Sequence, residues 1–437
     1  MPVDIAHQAA TNVSGTSASY SSSKSIFGEA APPSSGTSNA SHSAYFPKTT
    51  IVTCTQARHL VESYQEQASR ITSWLDTNAV YDALHQAKSD DISEIRHSKP
   101  DLFALISILC ASSLVILPST YTICMGLIGQ SSELGSLLDR LEADASSALD
   151  QMNMFSHPTL IGLQALTVYQ FSLSPRAGEK RHIARMDEVI RSCRRMGLDK
   201  LGSAQDDEKL WLEEDLRQGQ TPAALPTPFS GLWAGETFLK RNKVERSRGR
   251  AIWCFAVAKD WVSSRISGSC GIDPHSFTTT QPTAYSFGDV IVPSENAVIW
   301  SFMMATARNT YNYFNVCCKA QALGRIVDYD KILELDSELM GELERRPDWL
   351  KAESDASLGK LGADWRSIEA ILVSSTLWNR MFALHRPFLA LGRSEPEKYG
   401  LSSSRTFDYA MLCIRIMREG LQNGVLMLKQ LVSPFKA

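Results

Sequence analysis

The amino-acid sequence predicts an all-α fold, a large array of helices, and two observations carry that prediction. Apolar residues recur at helical spacing in one stretch after another of the 437-residue chain, and segments with Gly or Pro separate these stretches. No stretch alternates apolar and polar residues in the manner of a half-buried strand. Many amphipathic helices with short connections are typical of helical bundles and arrays.

Composition and charge narrow the class of protein. Hydrophobic residues make up 43% of the chain and charged residues 21%, which is ordinary for a soluble globular protein. A net charge of -3 provides no basic field, so bulk electrostatics argue against nucleic-acid binding by the chain as a whole. The nine cysteines are scattered and lie mostly in apolar helical stretches, which predicts reduced, packed thiols in an intracellular protein.

The sequence predicts two parts of very different character. Residues 1–45 are rich in Ser, Thr, Ala and Gly and carry almost no large apolar side chains. Such a segment cannot bury enough surface to offset its ordering entropy, so we expect it to be disordered. It also lacks the basic start and apolar core of a secretory signal. Residues 46–437 are expected to form the helical domain.

The most apolar run of the chain, Leu102 to Leu117, is predicted to be a buried core helix. A membrane span needs about 20 apolar residues. This run ends at Pro118 after roughly sixteen residues, so a membrane segment is the weaker alternative and no membrane partner is expected. Other helices are predicted at Leu134–Leu149, 161–173, Ile183–Met196, Val298–Leu323, Ile332–Leu343, Trp365–Phe388 and Arg405–Leu431.

The stretch from Arg246 to Val290 organises the rest of the domain. Trp253, Val257 and Trp261 stand four residues apart, and further apolar residues widen their face, which predicts a helix buried on most sides. Gly268 ends that helix, and a long loop with several prolines follows. Asp260 lies within the apolar helix, where we favour an ion pair, with Arg265 as the nearby cation, over a binding role.

Two charged segments flank this region in the sequence. A basic lead-in contains Arg246, Arg248 and Arg250, and an acidic run contains Asp206, Asp207 and Glu208. We interpret both as solvated helix faces, with a nuclear-import or phosphate-facing patch as the alternative for the basic segment.

Motifs that carry chemistry are missing from the sequence. No two histidines lie three or four residues apart, and no CxxC, GxSxG, P-loop or GxGxxG pattern is present. The sequence therefore predicts no enzyme activity, no metal site and no cofactor. At His385-Arg386-Pro387 we favour pairing with an acidic residue or capping of a helix end over catalysis.

Several motifs together resemble the fungal-specific transcription factor domain, the helical middle region found behind a binuclear zinc cluster. Leu384 to Leu389 reads LHRPFL and matches a family motif closely, and the order and spacing of the weaker motifs agree as well. Ser247, Gly249 and Cys254 loosen the match to its Arg-Arg-Arg-Leu-Trp-Trp signature. The residues placed on family motifs, as structural positions, are Arg248, Arg250, Trp253, Asp260, Gly268, His385, Arg386 and Pro387.

The resemblance implies a nuclear transcription regulator of fungal type, with a secondary-metabolite gene cluster as the suggested target. The family's zinc cluster needs six cysteines within about forty residues, whereas no cysteine precedes Cys54. Zinc is therefore expected only if a further N-terminal cluster exists, and DNA is expected to be reached indirectly. The expected partners are other transcription factors or a second copy, and the interior Trp, Tyr and Met residues would suit a small apolar ligand. The alternative is a scaffold that heterodimerises with a zinc-cluster factor.

Overall fold

A computed structural model describes residues 51–68, 72, 74–173, 179–207, 243–282, 286–287, 290–291, 294–324, 327–351 and 365–422. The predicted disordered segment 1–45 lies outside these residues. The all-α prediction is confirmed. The described helices, in chain order, are α1 Cys54–Ala68, α2 Thr77–Gln86, α3 Ser93–Ser98, α4 Pro100–Ile116, α5 Ser119–Cys124, α6 Leu134–Gln151, α7 Leu160–Ser172, α8 Glu179–Arg195, α9 Lys243–Ser267, α10 Ser294–Ala322, α11 Tyr329–Arg345, α12 Trp365–His385, α13 Leu391–Ser394 and α14 Pro396–Gln422.

A two-residue hairpin and an isolated β-bridge between Thr53 and Asp91 are the departures from helix, turn and loop among the described residues. Strands β1 (Ser286–Phe287) and β2 (Val290–Ile291) pair antiparallel. The sequence between them is Gly-Asp, a pair typical of two-residue hairpin turns. Each strand is only two residues long, which is too short to show an alternating pattern in the sequence. The helices and the hairpin all belong to one unit, Thr49–Ala437.

Helix α4 forms the centre of the N-terminal half and confirms the predicted core helix. Pro100 stands at its first turn, where the missing N–H costs no hydrogen bond. The side chains from Leu102 to Leu114 are buried on every side of the helix, and α1, α6 and α7 pack around it. Each fully buried Leu or Ile contributes about 1.5–3 kcal/mol by removal from water. Among the described residues, no helix has both the length and the apolar character needed to span a bilayer.

Helix α9 is buried on most sides, as its sequence predicted. It packs against α7, α8, α10 and the 3-10 turn Leu198–Lys200. The rings of Trp74 and Phe255 lie 5.3 Å apart, those of Trp74 and Trp300 lie 5.5 Å apart, and those of Trp261 and Tyr311 lie 5.3 Å apart. These tilted aromatic contacts join α9 to α10 and to the segment before α2, so α9 holds the two halves of the sequence together.

The C-terminal half is built on α12, which packs against α10, α11 and α14. Helix α14 begins at Pro396, nine residues earlier than the sequence predicted, and its described part ends at Gln422. The early start is explained by Ser402, which is fully buried and hydrogen-bonded, so the polar stretch around it does not interrupt the helix. The predicted end near Leu431 lies outside the described residues.

Candidate functional site

Two arginines at the start of α9 turn inward onto one carboxylate. Arg246 and Arg250 are 4% and 2% exposed, and Asp207 is 4% exposed. Oδ1 of Asp207 lies 2.6 Å from Nε of Arg246 and 2.6 Å from Nη2 of Arg250. The two arginines stand four residues apart, so their side chains leave the same face of the helix. We call Asp207, Arg246 and Arg250 the arginine clamp.

Backbone carbonyls complete the clamp. Arg246 donates to the carbonyl oxygen of Leu201 at 2.7 Å, and Arg250 donates to those of Gly202 at 3.0 Å and Ser203 at 2.9 Å. These carbonyl dipoles offset the positive charge that one carboxylate leaves on two guanidinium groups. The clamp therefore ties the start of α9 to the segment that follows α8.

The solvated character predicted for the basic lead-in and for the acidic run is wrong at these positions. The prediction considered only sequence neighbours, whereas Asp207 and Arg246 are 39 residues apart in the chain. A signal was present nonetheless, because Arg246 and Arg250 continue the spacing of Trp253, Val257 and Trp261 along one helix face. A charged residue that continues an apolar stripe predicts a buried ion pair.

Arg248, between the clamp arginines, faces a different element. Its Nη1 lies 2.5 Å from Oδ2 of Asp76, the residue that caps the N-terminus of α2. Gly249 packs so closely that a Cβ atom there would lie 3.0 Å from the side chains of Leu198 and Leu201. The glycine between Arg248 and Arg250 thus lets α9 pack closely against the Leu198–Ser203 segment, to which the clamp arginines bind.

The loop that follows α9, residues 268–282, is held along much of its length, and we call it the strap. Gly268 begins it with φ +70°, the left-handed conformation expected at a helix end. Thr279 bridges the strap to the same segment that the clamp binds: its hydroxyl donates to the carbonyl of Leu198 at 2.6 Å and accepts from the N–H of Leu201 at 2.8 Å. The indole Nε1–H of Trp261 donates to the carbonyl of Ile272 at 2.9 Å.

Asp260 holds the first part of the strap through backbone groups. Its carboxylate accepts from the N–H of Gly271 at 3.0 Å and from the N–H of Ile272 at 2.9 Å. Burial raises the pKa of the Asp260 carboxyl, while these two hydrogen bonds oppose that rise. The predicted ion pair is thus replaced at Asp260 by recognition of the backbone, and the side chain of Arg265 lies outside the described residues.

Replacing Asp260 with alanine is expected to lower the free energy of unfolding by about 1–2 kcal/mol, because the N–H of buried Ile272 loses its acceptor. Urea unfolding measures this loss, and amide exchange of the strap should accelerate. Asp273→Ala is the matched control, since Asp273 lies in the same loop but its side chain binds the N–H of an exposed residue, His275. Equal losses for the two variants would contradict the assignment.

A second buried polar cluster surrounds His385, the histidine of the LHRPFL motif. His385 is 0% exposed and Asp336 1% exposed, and Nε2 of His385 lies 3.0 Å from Oδ1 of Asp336. Nδ1 of His385 lies 2.7 Å from the hydroxyl of Ser402, which lies 2.9 Å from the hydroxyl of Tyr329. Arg405 also pairs with Asp336. We call these five residues the histidine cluster. Pairing of His385 with an acidic residue was one of the two outcomes favoured by the sequence.

The histidine cluster contains a serine, a histidine and an aspartate in contact, the groups of a hydrolytic triad. The geometry does not suit catalysis, because all three side chains are closed off from solvent. Burial lowers the pKa of His385 to about 4, so the imidazole is neutral and weakly basic near pH 7. The positive charge of Arg405 beside Asp336 removes much of the attraction that would otherwise favour protonated His385.

Two further residues of the LHRPFL motif, Arg386 and Pro387, lie on the surface. Arg386 and Pro387 are exposed and form the start of the short 3-10 turn Arg386–Phe388, whereas Phe388 is buried against Tyr329 with ring centroids 5.0 Å apart. The turn therefore anchors the end of α12 through His385 and Phe388. Asp336 carried a sequence signal too, because it shares the apolar face of α11 with Ile332 and Leu339.

A cleft of about 250 Å³ lies between α10 and α11. Its polar lining comes from Arg308, Asn309, Asn312, Glu338, Glu342 and Arg345, and Arg345 is itself paired with Glu342. This lining does not match the small apolar ligand proposed from the sequence. Of the interior aromatic residues that suggested such a ligand, Trp253 packs against Phe277 and Trp261 packs against Tyr311.

The cysteines do not form a reactive or metal-binding group. Burial raises the pKa of the thiols of Cys110, Cys254 and Cys413 to about 12, so these remain protonated at neutral pH. Within the described ranges, no three His, Cys, Asp or Glu side chains are grouped so as to hold a metal ion.

Comparison with known proteins found no matching family model, no matching curated protein and no matching solved structure. The resemblance to the fungal-specific transcription factor domain thus rests on the sequence motifs alone. The geometry adds where those motifs lie. Arg250 belongs to the arginine clamp, Trp253 lies on the buried face of α9, and Asp260 binds the backbone of the strap. His385 is the centre of the histidine cluster.

Proposed function

We propose that this chain is a transcription regulator of fungal type whose helical domain regulates without a chemical step. The observation that carries the proposal is the coincidence of family-like motifs with buried polar clusters. The Arg-rich entry of α9 supplies the arginine clamp, and LHRPFL supplies the centre of the histidine cluster. Both motifs thus mark places where distant segments of the chain are joined.

Buried charge of this kind favours specificity of packing over raw stability. Taking Arg246, Arg250 and Asp207 out of water costs several kcal/mol per ion, which their mutual attraction only roughly repays. Their fixed geometry, however, allows a single register of α9 against the Leu198–Ser203 segment. A regulatory module needs such defined helix arrangements, because a signal can act only on a structure with discrete states.

An enzymatic role is disfavoured by the chemistry of the same clusters. The titratable groups of the two clusters, at Asp207 and at His385, are buried and already paired within the protein. A catalytic acid or base has to reach its substrate, directly or through one water. We therefore propose that the two clusters stabilise the fold and that the protein acts by binding partners.

Interaction with DNA would run through a partner protein or through a further domain that carries a zinc cluster. The six-cysteine spacing of the zinc cluster is absent from the sequence, and the clamp arginines bind protein groups rather than facing outward. We propose a nuclear location and contact with other transcription factors, with a secondary-metabolite gene cluster as the suggested target. The second candidate, a scaffold that heterodimerises with a zinc-cluster factor, follows from this indirect contact.

Deletion of the gene tests the proposal when transcripts are profiled in the deletion strain and in the strain complemented by the wild-type chain. We expect a coherent set of genes to change and to recover on complementation, and a tagged chain to accumulate in the nucleus. Complementation with an Asp82→Ala chain is the matched control and should also restore the transcripts, because Asp82 is exposed on α2. If no gene set changes reproducibly, the proposal fails. Recovery of a zinc-cluster factor with the chain from nuclear extract would favour the scaffold.

A further inference from the structure

Helix α14 exposes a row of large apolar side chains. On one side, Tyr409, Ile416 and Gly420 are buried, and the helix packs on α12. On the other side, Phe407 is 53% exposed, Met411 63% and Ile414 61%. Single exposed apolar residues are normal, but a contiguous row indicates a surface that binds another protein.

The spacing of this row is that of a coiled-coil seam. Six exposed positions of α14 alternate three and four residues apart over two and a half heptads, which keeps them on one line when two helices pack together. Four of the six side chains are large and apolar. We call these positions the α14 seam: Ser404, Phe407, Met411, Ile414, Arg418 and Leu421.

Charge decides which occupant the seam fits. A second copy in parallel orientation would place Arg418 against Arg418, a repulsive contact inside the seam. In antiparallel orientation the two-fold axis can lie at Met411. Arg418 then lies opposite Ser404 of the second copy, and Phe407 lies opposite a position one residue away from Ile414 of the second copy. The flanking pair is complementary too, because Asp408 and Arg415 lie at nearly equal distances on either side of Met411.

We propose that the α14 seam binds the same seam of a second copy of this chain, antiparallel and with its two-fold axis at Met411. The surface is self-complementary in the way that a two-fold interface requires, since Ser404 and Arg418 meet in both directions and Leu421 lies opposite Leu401, another exposed leucine of α14. This inference goes beyond the proposed regulatory function and does not depend on it.

The size of the seam predicts a weak, concentration-dependent dimer. From Ser404 to Leu421 the helix rises by about 27 Å. A single helix face of this length lies at or below the lower end of standard interface areas, where complexes are transient. We therefore expect monomer and dimer to exchange over the micromolar range in sedimentation velocity of the full chain.

Charge reversal tests the pairing of Asp408 with Arg415. Either Asp408→Arg or Arg415→Asp creates two repulsive contacts per dimer, so each should weaken dimerisation by roughly tenfold or more, and the double reversal should restore it. Both side chains lie on the exposed side of α14, and Asp408 also accepts a hydrogen bond from Ser404 at 3.2 Å, so circular dichroism and thermal unfolding of each variant measure separately what the reversal costs within one chain. Failure of the double reversal to restore the dimer overturns the pairing.

Cysteine cross-linking tests the position of the axis. Under mild oxidation, Met411→Cys should form a disulfide-linked dimer, because residue 411 meets itself at the axis. Leu421→Cys is the matched control, since two copies of residue 421 would stand about 30 Å apart along the helix axes. The unmodified chain, with its exposed Cys124 and Cys318, sets the background. Equal cross-linking at both positions, or a monomer throughout the concentration series, overturns the proposal and assigns the seam to another occupant.

Discussion

Replacement of Asp207 with alanine is expected to lower the free energy of unfolding by about 3–5 kcal/mol. The variant leaves Arg246 and Arg250 buried without the carboxylate they share, and a buried uncompensated charge costs far more than the pair contributes when intact. Because typical domains are stable by about 5–15 kcal/mol, this loss would place the protein near its unfolding threshold. Urea unfolding monitored by tryptophan fluorescence and by circular dichroism measures it.

Two companion variants make the Asp207 experiment specific. Asp82→Ala removes an exposed aspartate from α2 and is expected to change stability by no more than about 0.5 kcal/mol. A combined replacement, Asp207→Leu with Arg246→Met and Arg250→Met, removes all three charges together. It should recover part of the stability lost in Asp207→Ala, because no buried charge remains uncompensated, although the carbonyl groups of Leu201, Gly202 and Ser203 lose their arginine donors. If Asp207→Ala cost no more than Asp82→Ala, the clamp would not be a buried ion pair.

The stability of the protein is expected to fall by about 2 kcal/mol between pH 7 and pH 5 through His385 alone. Its pKa is about 4 in the folded protein and 6.5 in the unfolded chain. Below pH 6.5 the unfolded chain therefore binds a proton that the folded protein rejects, so stability decreases as the pH falls. The decrease in stability levels off only below pH 4, where the folded protein binds the proton as well. Urea unfolding at a series of pH values measures the slope.

Substitution of the histidine isolates its share of that slope. His385→Gln cannot titrate, so its stability should change less between pH 7 and pH 5 than that of the wild type, although its stability at pH 7 is lower through lost hydrogen bonds. His59→Gln is the matched control for the replacement of a histidine, because His59 is exposed on α1. An unchanged slope in His385→Gln would contradict burial of a neutral imidazole.

Sequence patterns identified the long helices but not the short α2, α3, α5 and α13, because periodicity and burial are recorded locally only over several turns. The apolar run of α4 and the four-residue spacing on α9 each contain, within one segment, the information that selects a helix and its buried face. The glycine at 268 likewise marks a helix end on local grounds, since left-handed backbone there favours the smallest residue. Boundaries were less certain: α14 starts nine residues earlier than predicted, because a buried serine reads locally as a polar break.

The sequence by itself determined an all-α chain, its principal helices and the motifs that resemble a fungal transcription factor domain. Only the tertiary structure decided what the charged residues do. Whether Asp207 and Arg246 face water depends on where a segment 39 residues away is placed, and whether His385 is a base or a neutral anchor depends on Asp336, Ser402 and Arg405 around it. Charge and pKa follow from long-range contacts and desolvation, which no local pattern records.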